Sequence, residues 1–171
     1  LVEDQGRPRV LERSLARLVG SHTRVVGAGR TDRGVHAEGQ VVSFQADWQH
    51  GLAELQRALN AVLPPDVAIL ALGPAAEGFH PRFSARSRTY RYTILNRPWP
   101  SPLHRRTAWH VAKELDTGRM VEASKLLVGT QDMATFGRSP ERGSEGGREV
   151  SAASTVRTVL RAEWNQEERS L

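Results

Sequence analysis

One stretch concentrates the reactive residue types, Gly27-Ala-Gly-Arg-Thr-Asp-Arg-Gly-Val-His-Ala-Glu-Gly-Gln40. Its glycines allow tight turns and close approach of a ligand to the backbone. Asp32 sits among Arg30 and Arg33, an arrangement that favours the ionised carboxylate. Such a group is a poor general base for water. It suits attack on a carbon, or stabilisation of developing positive charge. The same residues also fit a plain turn whose Asp caps backbone amides, and chemistry alone leans toward the turn. Two glycine motifs are excluded. Gly29 and Gly34 have the spacing of a phosphate-binding loop, but Val35 follows where Lys is required. The dinucleotide fingerprint needs glycine at position 32, which is Asp.

A second feature covers residues 79–106. It holds Arg82, Arg86, Arg88, Arg91, Arg97, Arg105 and Arg106 and no acidic residue, with Phe79, Phe83, Tyr90, Tyr92 and Trp99 interleaved. Arginine grips phosphate and aromatic faces stack on bases, so this segment points to nucleic acid. The competing reading is that Tyr90, Tyr92 and Ile94 form an ordinary core face while the arginines are solvated. The signature of the RNA-recognition motif is absent. The six histidines form no HxH, HxxxH or HExxH spacing, so no metal site is expected.

Composition agrees with an anionic partner. The 171 residues carry 24 basic against 19 acidic groups, a net charge of +5. All the basic residues but Lys113 and Lys125 are Arg, a ratio that GC-rich coding explains for the most part, though not where the arginines cluster. Without cysteine there are no disulfides, thiolate zinc sites, iron–sulfur clusters or thiol catalysis, and a reducing cytoplasm is the expected setting. No long apolar run and no secretory start occur, so no membrane association is expected. The sequence opens on Leu1 without Met and stops at Leu171, as a piece of a longer protein would.

The elements that must position these residues follow from periodicity. Residues 8–19 read as a helix with Val10, Leu11, Ser14, Leu15, Leu18 and Val19 on one face, stopped by Gly20 and Ser21. Residues 24–28 and 40–45 read as strands flanking the glycine loop. Residues 51–63 read as a helix through Leu52, Leu55, Leu59, Val62 and Leu63, ended by Pro64 and Pro65. Residues 66–72 read as a buried strand. Residues 88–95 alternate as a strand, and 107–112 read as another. Asp116 caps a helix carrying Met120, Val121, Leu126 and Leu127, closed by Gly129. Residues 137–149 read as a polar loop. Residues 150–164 alternate, with Val156, Thr158, Leu160, Ala162 and Trp164 on one face. Without a regular βαβ rhythm, the pattern predicts α+β with a mainly antiparallel sheet.

Gly29-Arg-Thr-Asp-Arg-Gly-Val-His36, with Gly39-Gln-Val41, resembles the signature of the TruA family of tRNA pseudouridine synthases. Leu59-Asn60 with Leu63-Pro64, Phe79-His-Pro-Arg-Phe-Ser-Ala85, Arg88-Thr-Tyr-Arg-Tyr92, Leu126-Leu127 with Gly129, and the Phe136 region extend the resemblance along nearly the whole chain. The resemblance implies isomerisation of uridine to pseudouridine in the tRNA anticodon stem-loop, typically at tRNA positions 38 to 40, without metal or organic cofactor. It implies Asp32 as the catalytic residue and Tyr90 as the ring that stacks on the target base. With it, Arg30, His36 and Gln40 become candidates for substrate binding. Arg33, Arg82, Arg86, Arg88 and Arg91 become candidates for RNA binding. It also implies a homodimer and two ferredoxin-like halves around the sheet, with helices on one face and a basic cleft between them, divided as residues 1–75 and 76–171. Position 33 is Arg where the family usually has Ala. The family's Tyr-Asp-Gly, Gly-Trp-Gln and Met-Val-Arg segments are absent from this sequence, including the Arg that normally pairs with the catalytic Asp. The alternative expectation is therefore a non-catalytic RNA-binding module of the same fold.

Overall fold

The computed structural model describes residues 7–136 and 154–166. They form two compact units, described separately below. The first runs to Thr93 and takes in Leu103–Ala108, and the second contains Ile94–Pro102 and the described residues from Trp109 onward.

In the first unit the order is α1 (Arg7–Val19), β1 (Val25–Gly27), β2 (Val42–Phe44) and α2 (Leu52–Val62). Leucines at helical spacing on the two helices meet in one cluster, Leu11, Leu15, Val25, Leu55 and Leu59. Leu15 and Leu59 are fully enclosed. Leu18, Val42, Phe44, Trp48, Leu63, Ile69 and Leu72 pack around it. Helix α1 ends at Gly20, whose φ of 77° lets its N–H reach back to Ala16 O at 3.0 Å. Helix α2 ends at Leu63, which is extended (ψ 149°), as the residue before a proline is driven to be. Strands β1 and β2 pair antiparallel with Val25 opposite Phe44, Val26 opposite Ser43 and Gly27 opposite Val42. Glu12 of α1 accepts the N–H of Val25 at 3.0 Å, so the helix also holds the start of the sheet.

Residues 66–72 form no strand, contrary to the sequence reading, and follow a turn in which Val67 N donates to Pro64 O at 3.0 Å. Side chains of α2 take their backbone groups instead. Asn60 Oδ1 accepts from Ile69 N at 2.7 Å, and Asn60 Nδ2 donates to Ile69 O at 3.0 Å. Gln56 Nε2 donates to both Ile69 O and Leu70 O at 3.0 Å.

The second unit contains β3 (Ile94–Asn96), β4 (Trp109–Val111), α3 (Thr117–Lys125), β5 (Gly129–Asp132) and β6 (Val156–Val159). Strands β5 and β6 are antiparallel, but β3 and β4 run parallel, so that pairing departs from the expected antiparallel order. The described strands make three separate pairs rather than one continuous sheet. Asn96 closes the β3–β4 pair by donating to Val111 O (2.8 Å) and Lys113 O (2.7 Å) and accepting from Leu115 N (3.1 Å). Asp116 caps α3 as expected, accepting from Arg119 N at 2.9 Å. The strand expected over 88–95 is present only from Ile94, where Trp109–Val111 supplies a partner. Of the alternation read over 150–164, the described residues form a strand only at Val156–Val159, and the shared face is largely exposed, with Leu160 at 73%. The loop read at 137–149 lies outside the described residues. The chain is thus a small α+β protein. Among the described residues no helix is long and apolar enough to cross a membrane.

Candidate active site

The glycine-rich stretch closes the β1–β2 hairpin. The ladder's last rung is Ala28 N to Val41 O at 2.9 Å, and beyond it residues 29–41 are exposed. Within this loop Val35 N donates to Asp32 O at 3.1 Å, which makes Asp32 the first residue of a four-residue turn. The third residue is Gly34, with φ 86°, a left-handed conformation that a β-carbon would strain. Asp32 therefore stands at a tight turn with its side chain in solvent. None of the described hydrogen bonds or ion pairs engages its carboxylate. Arg30 and Arg33, also exposed, form no ion pair with it among the described contacts. The turn reading and the reactive reading thus meet in one place: Asp32 begins a turn through its backbone and leaves its carboxylate available.

The stem of the loop is held by two side chains. Gln40 Nε2 donates to Gly29 O at 2.7 Å. Arg88 Nη2 donates to Ala28 O at 3.4 Å and to Arg82 O at 3.2 Å. A third link is the ion pair between Arg91 Nη2 and Glu38 Oε2, at 2.6 Å. These links set residues 82–91 beside the glycine loop. Residues 82–91 and the glycine loop therefore form one neighbourhood within the first unit, although they lie far apart in the chain.

The aromatic residues of that segment are not core. Tyr90 is 75% exposed and Tyr92 84%, which removes the core-face reading for both. Phe83 is 75% exposed and carries Arg82 over its ring at 5.8 Å. His80 organises the bend beneath it: its Nδ1 accepts from Arg82 N (3.2 Å) and Phe83 N (3.4 Å), and its ring lies 4.4 Å from that of Phe83. Gly78, with φ 74°, opens the bend. An exposed arginine and aromatic surface of this kind can hold phosphates and cover a flipped base. Arg86 and His36 are exposed, and Arg86 belongs to the same segment. Two residues that sequence reasoning did not single out contribute here, Glu38 and His80. Glu38 lies inside the glycine-rich loop, and its signal is an acidic charge available to a segment that has only basic ones.

No family model matches the chain. Curated proteins do. The chain is 44% identical over 135 residues to the tRNA pseudouridine synthase A of Roseiflexus sp. RS-1, covering 79% of this chain and 50% of that protein. It is 43% identical over 159 residues to the tRNA pseudouridine synthase A of Anaplasma marginale, covering 92% and 61%. For the tRNA pseudouridine synthase A of Geobacter sp. M21 the values are 38% over 168 residues, 97% and 64%. The chain spans about half to two thirds of the length of these curated relatives. Aligned over most of its own length with proteins that bear one name, the chain belongs to the TruA family of tRNA pseudouridine synthases.

Proposed function

We propose that this chain carries the reacting loop and RNA-holding segment of a tRNA pseudouridine synthase, acting on uridine in the anticodon stem-loop at tRNA positions 38 to 40. The observation that supports this best is the exposed Asp32 turn tied to the exposed Tyr90 segment by Arg88 and by the Glu38–Arg91 pair. The reaction is an isomerisation. The bond from N1 of uracil to C1′ of ribose breaks, a bond from C5 to C1′ forms, the C5 proton leaves and N1 ends protonated. No electrons are gained or lost, so the reaction needs no redox cofactor. Asp32 acts at the ribose or the uracil ring, as nucleophile or as base at the sugar. A uridine inside a stem must first be flipped out. Tyr90 then covers the extruded base, while Arg30, His36 and Gln40 lie on the loop that receives it. Arg33, Arg82, Arg86 and Arg91 hold the backbone, with a salt-sensitive affinity; Arg88, also a candidate from the sequence, has its Nη2 on two backbone carbonyls of the chain.

The same reading includes a homodimer, ferredoxin-like halves at 1–75 and 76–171 with helices on one face and a basic cleft, and a cytoplasmic setting. The chemistry is tested by tritium release from tRNA transcripts carrying 5-tritiated uridine, comparing the chain with Asp32→Ala. Release that Asp32→Ala abolishes is expected. Tight tRNA binding without release would instead support a non-catalytic RNA-binding module.

A further inference from the structure

We propose that Gln40 and Arg88 are positioning residues that clamp the reacting loop, rather than contacts to RNA. The inference rests on the reading of Asp32 as the reacting carboxylate. Beyond the rung from Ala28 N to Val41 O, the carbonyls of Ala28 and Gly29 would have no backbone partner in the hairpin. Two side chains take them in succession: Arg88 Nη2 reaches Ala28 O and Gln40 Nε2 reaches Gly29 O at 2.7 Å. Gln40 thus supplies, with its side chain, the rung that the backbone stops making. Arg88 also donates to Arg82 O and so joins the loop stem to the His80 bend. The next residues in the chain are Arg30, Thr31 and Asp32. Between the clamp and the end of the loop stand Gly34 and Gly39, which offer the backbone little resistance to reorientation. A reacting group has to be held to about 0.5 Å, and a displacement near 1 Å can cost about 100-fold in rate.

The donors themselves argue against a phosphate role. Arg88 Nη2 faces two carbonyl oxygens of the chain and no carboxylate, whereas Arg91 is paired with an anion that a phosphate could replace. Both bonds come from one nitrogen, Nη2, whose two N–H groups are fixed in the guanidinium plane; lysine at 88 would keep the charge but not that planar, directed pair of donors.

The test uses the full chain with Gln40→Leu, Arg88→Lys and Arg88→Gln, read three ways. The first is amide hydrogen exchange at Val35, whose N–H is held by Asp32 O. It is expected to quicken by about fivefold or more in all three variants, with an unchanged urea midpoint. The second is the salt dependence of tRNA affinity. A phosphate contact at Arg88 would lower the log–log slope by about 0.7–0.9 in Arg88→Gln, whereas a clamp leaves it unchanged. The third is tritium release, where kcat is expected to fall by about 10- to 100-fold with KM within about twofold. Unchanged Val35 exchange, or a reduced slope in Arg88→Gln, or a raised KM with kcat intact, overturns the proposal. The exchange and slope measurements need no turnover. A chain that binds tRNA without isomerising it would refute the catalytic reading and still decide whether the clamp exists.

Discussion

Glu38 is the one acidic group described in contact with the arginine-rich segment, so its removal is an informative perturbation. The Arg91–Glu38 contact is short, 2.6 Å, but its partners are 71% and 84% exposed. At that separation Coulomb attraction in bulk water is about 1–2 kcal/mol. Salt screening and the entropy of two long side chains reduce an exposed pair to about 0–1 kcal/mol. Glu38→Gln should therefore change folding stability by less than about 1 kcal/mol. Its effect on RNA binding has the opposite sign. In the native chain a phosphate has to displace the carboxylate from Arg91 and then tolerate its repulsion. In the Glu38→Gln variant the guanidinium is available at once. We expect tRNA affinity to tighten by about two- to fivefold at low salt, the factor that up to about 1 kcal/mol allows. The log–log salt slope should steepen by up to about 0.7–0.9, one further phosphate neutralised. Fluorescence titration of labelled tRNA over a potassium chloride series reads both quantities. A double-mutant cycle with Arg91→Gln assigns the effect, because Arg91→Gln should weaken binding more in the Glu38→Gln background than in the native one. Equal or weaker affinity in Glu38→Gln, with an unchanged slope, would refute the reasoning: Arg91 would then not be a phosphate contact restrained by Glu38.

Further expectations follow from the core, the aromatic surface and one carboxylate. Leu59→Ala, at a fully enclosed position, should lose about 2–5 kcal/mol in urea unfolding followed by tryptophan fluorescence, whereas Leu52→Ala, at a 43% exposed position on the same helix, should lose less than about 1 kcal/mol. Tyr90→Phe should keep tRNA affinity within about twofold, while Tyr90→Ala should lose about 1–3 kcal/mol of stacking; an unchanged rate in Tyr90→Phe removes any proton-transfer role for the hydroxyl. The Thr155 hydroxyl, and secondarily the Ala134 N–H, hold the Asp132 carboxyl below the ordinary aspartate value of 3.8. Because the folded value is depressed, the stability it contributes is present above about pH 4 and is lost as pH falls through the lowered value. An NMR titration should find Asp132 closer to the ordinary value in Thr155→Val.

The parts of the fold that sequence revealed are those set by local periodicity. Leucines three and four residues apart marked both helices of the first unit, and Leu11, Leu15, Leu55 and Leu59 are buried as that spacing requires. Gly20 and the Pro64-Pro65 pair marked their ends. What periodicity could not supply was a partner. Residues 66–72 have a strand's apolar content, but the groups that meet their backbone are the side-chain amides of Gln56 and Asn60. Residues 88–93 alternate like a strand and find no ladder, so Tyr90 and Tyr92 face solvent. The parallel sense of β3 and β4 left no trace in either strand alone. In the candidate site, Asp32 and its arginines were legible because they are crowded into one glycine-rich loop. The hold on that loop was not, because Gln40 and Arg88 act on backbone carbonyls and Glu38 meets Arg91 across 53 positions of the chain.

The pairing of Asn60 with both backbone groups of Ile69 makes this residue intolerant of a change that leaves its shape intact. Conversion of Asn60 to aspartate would alter almost nothing in its outline. Oδ1 would still accept from Ile69 N, but the atom facing Ile69 O, now 3.0 Å away, would be an oxygen instead of a donor. Two acceptors would then oppose each other, one of them charged, at a cost of about 1–3 kcal/mol. The segment that carries Ile69 and Leu72 onto the leucine cluster would be loosened by a modification that a packing model of the core would count as silent.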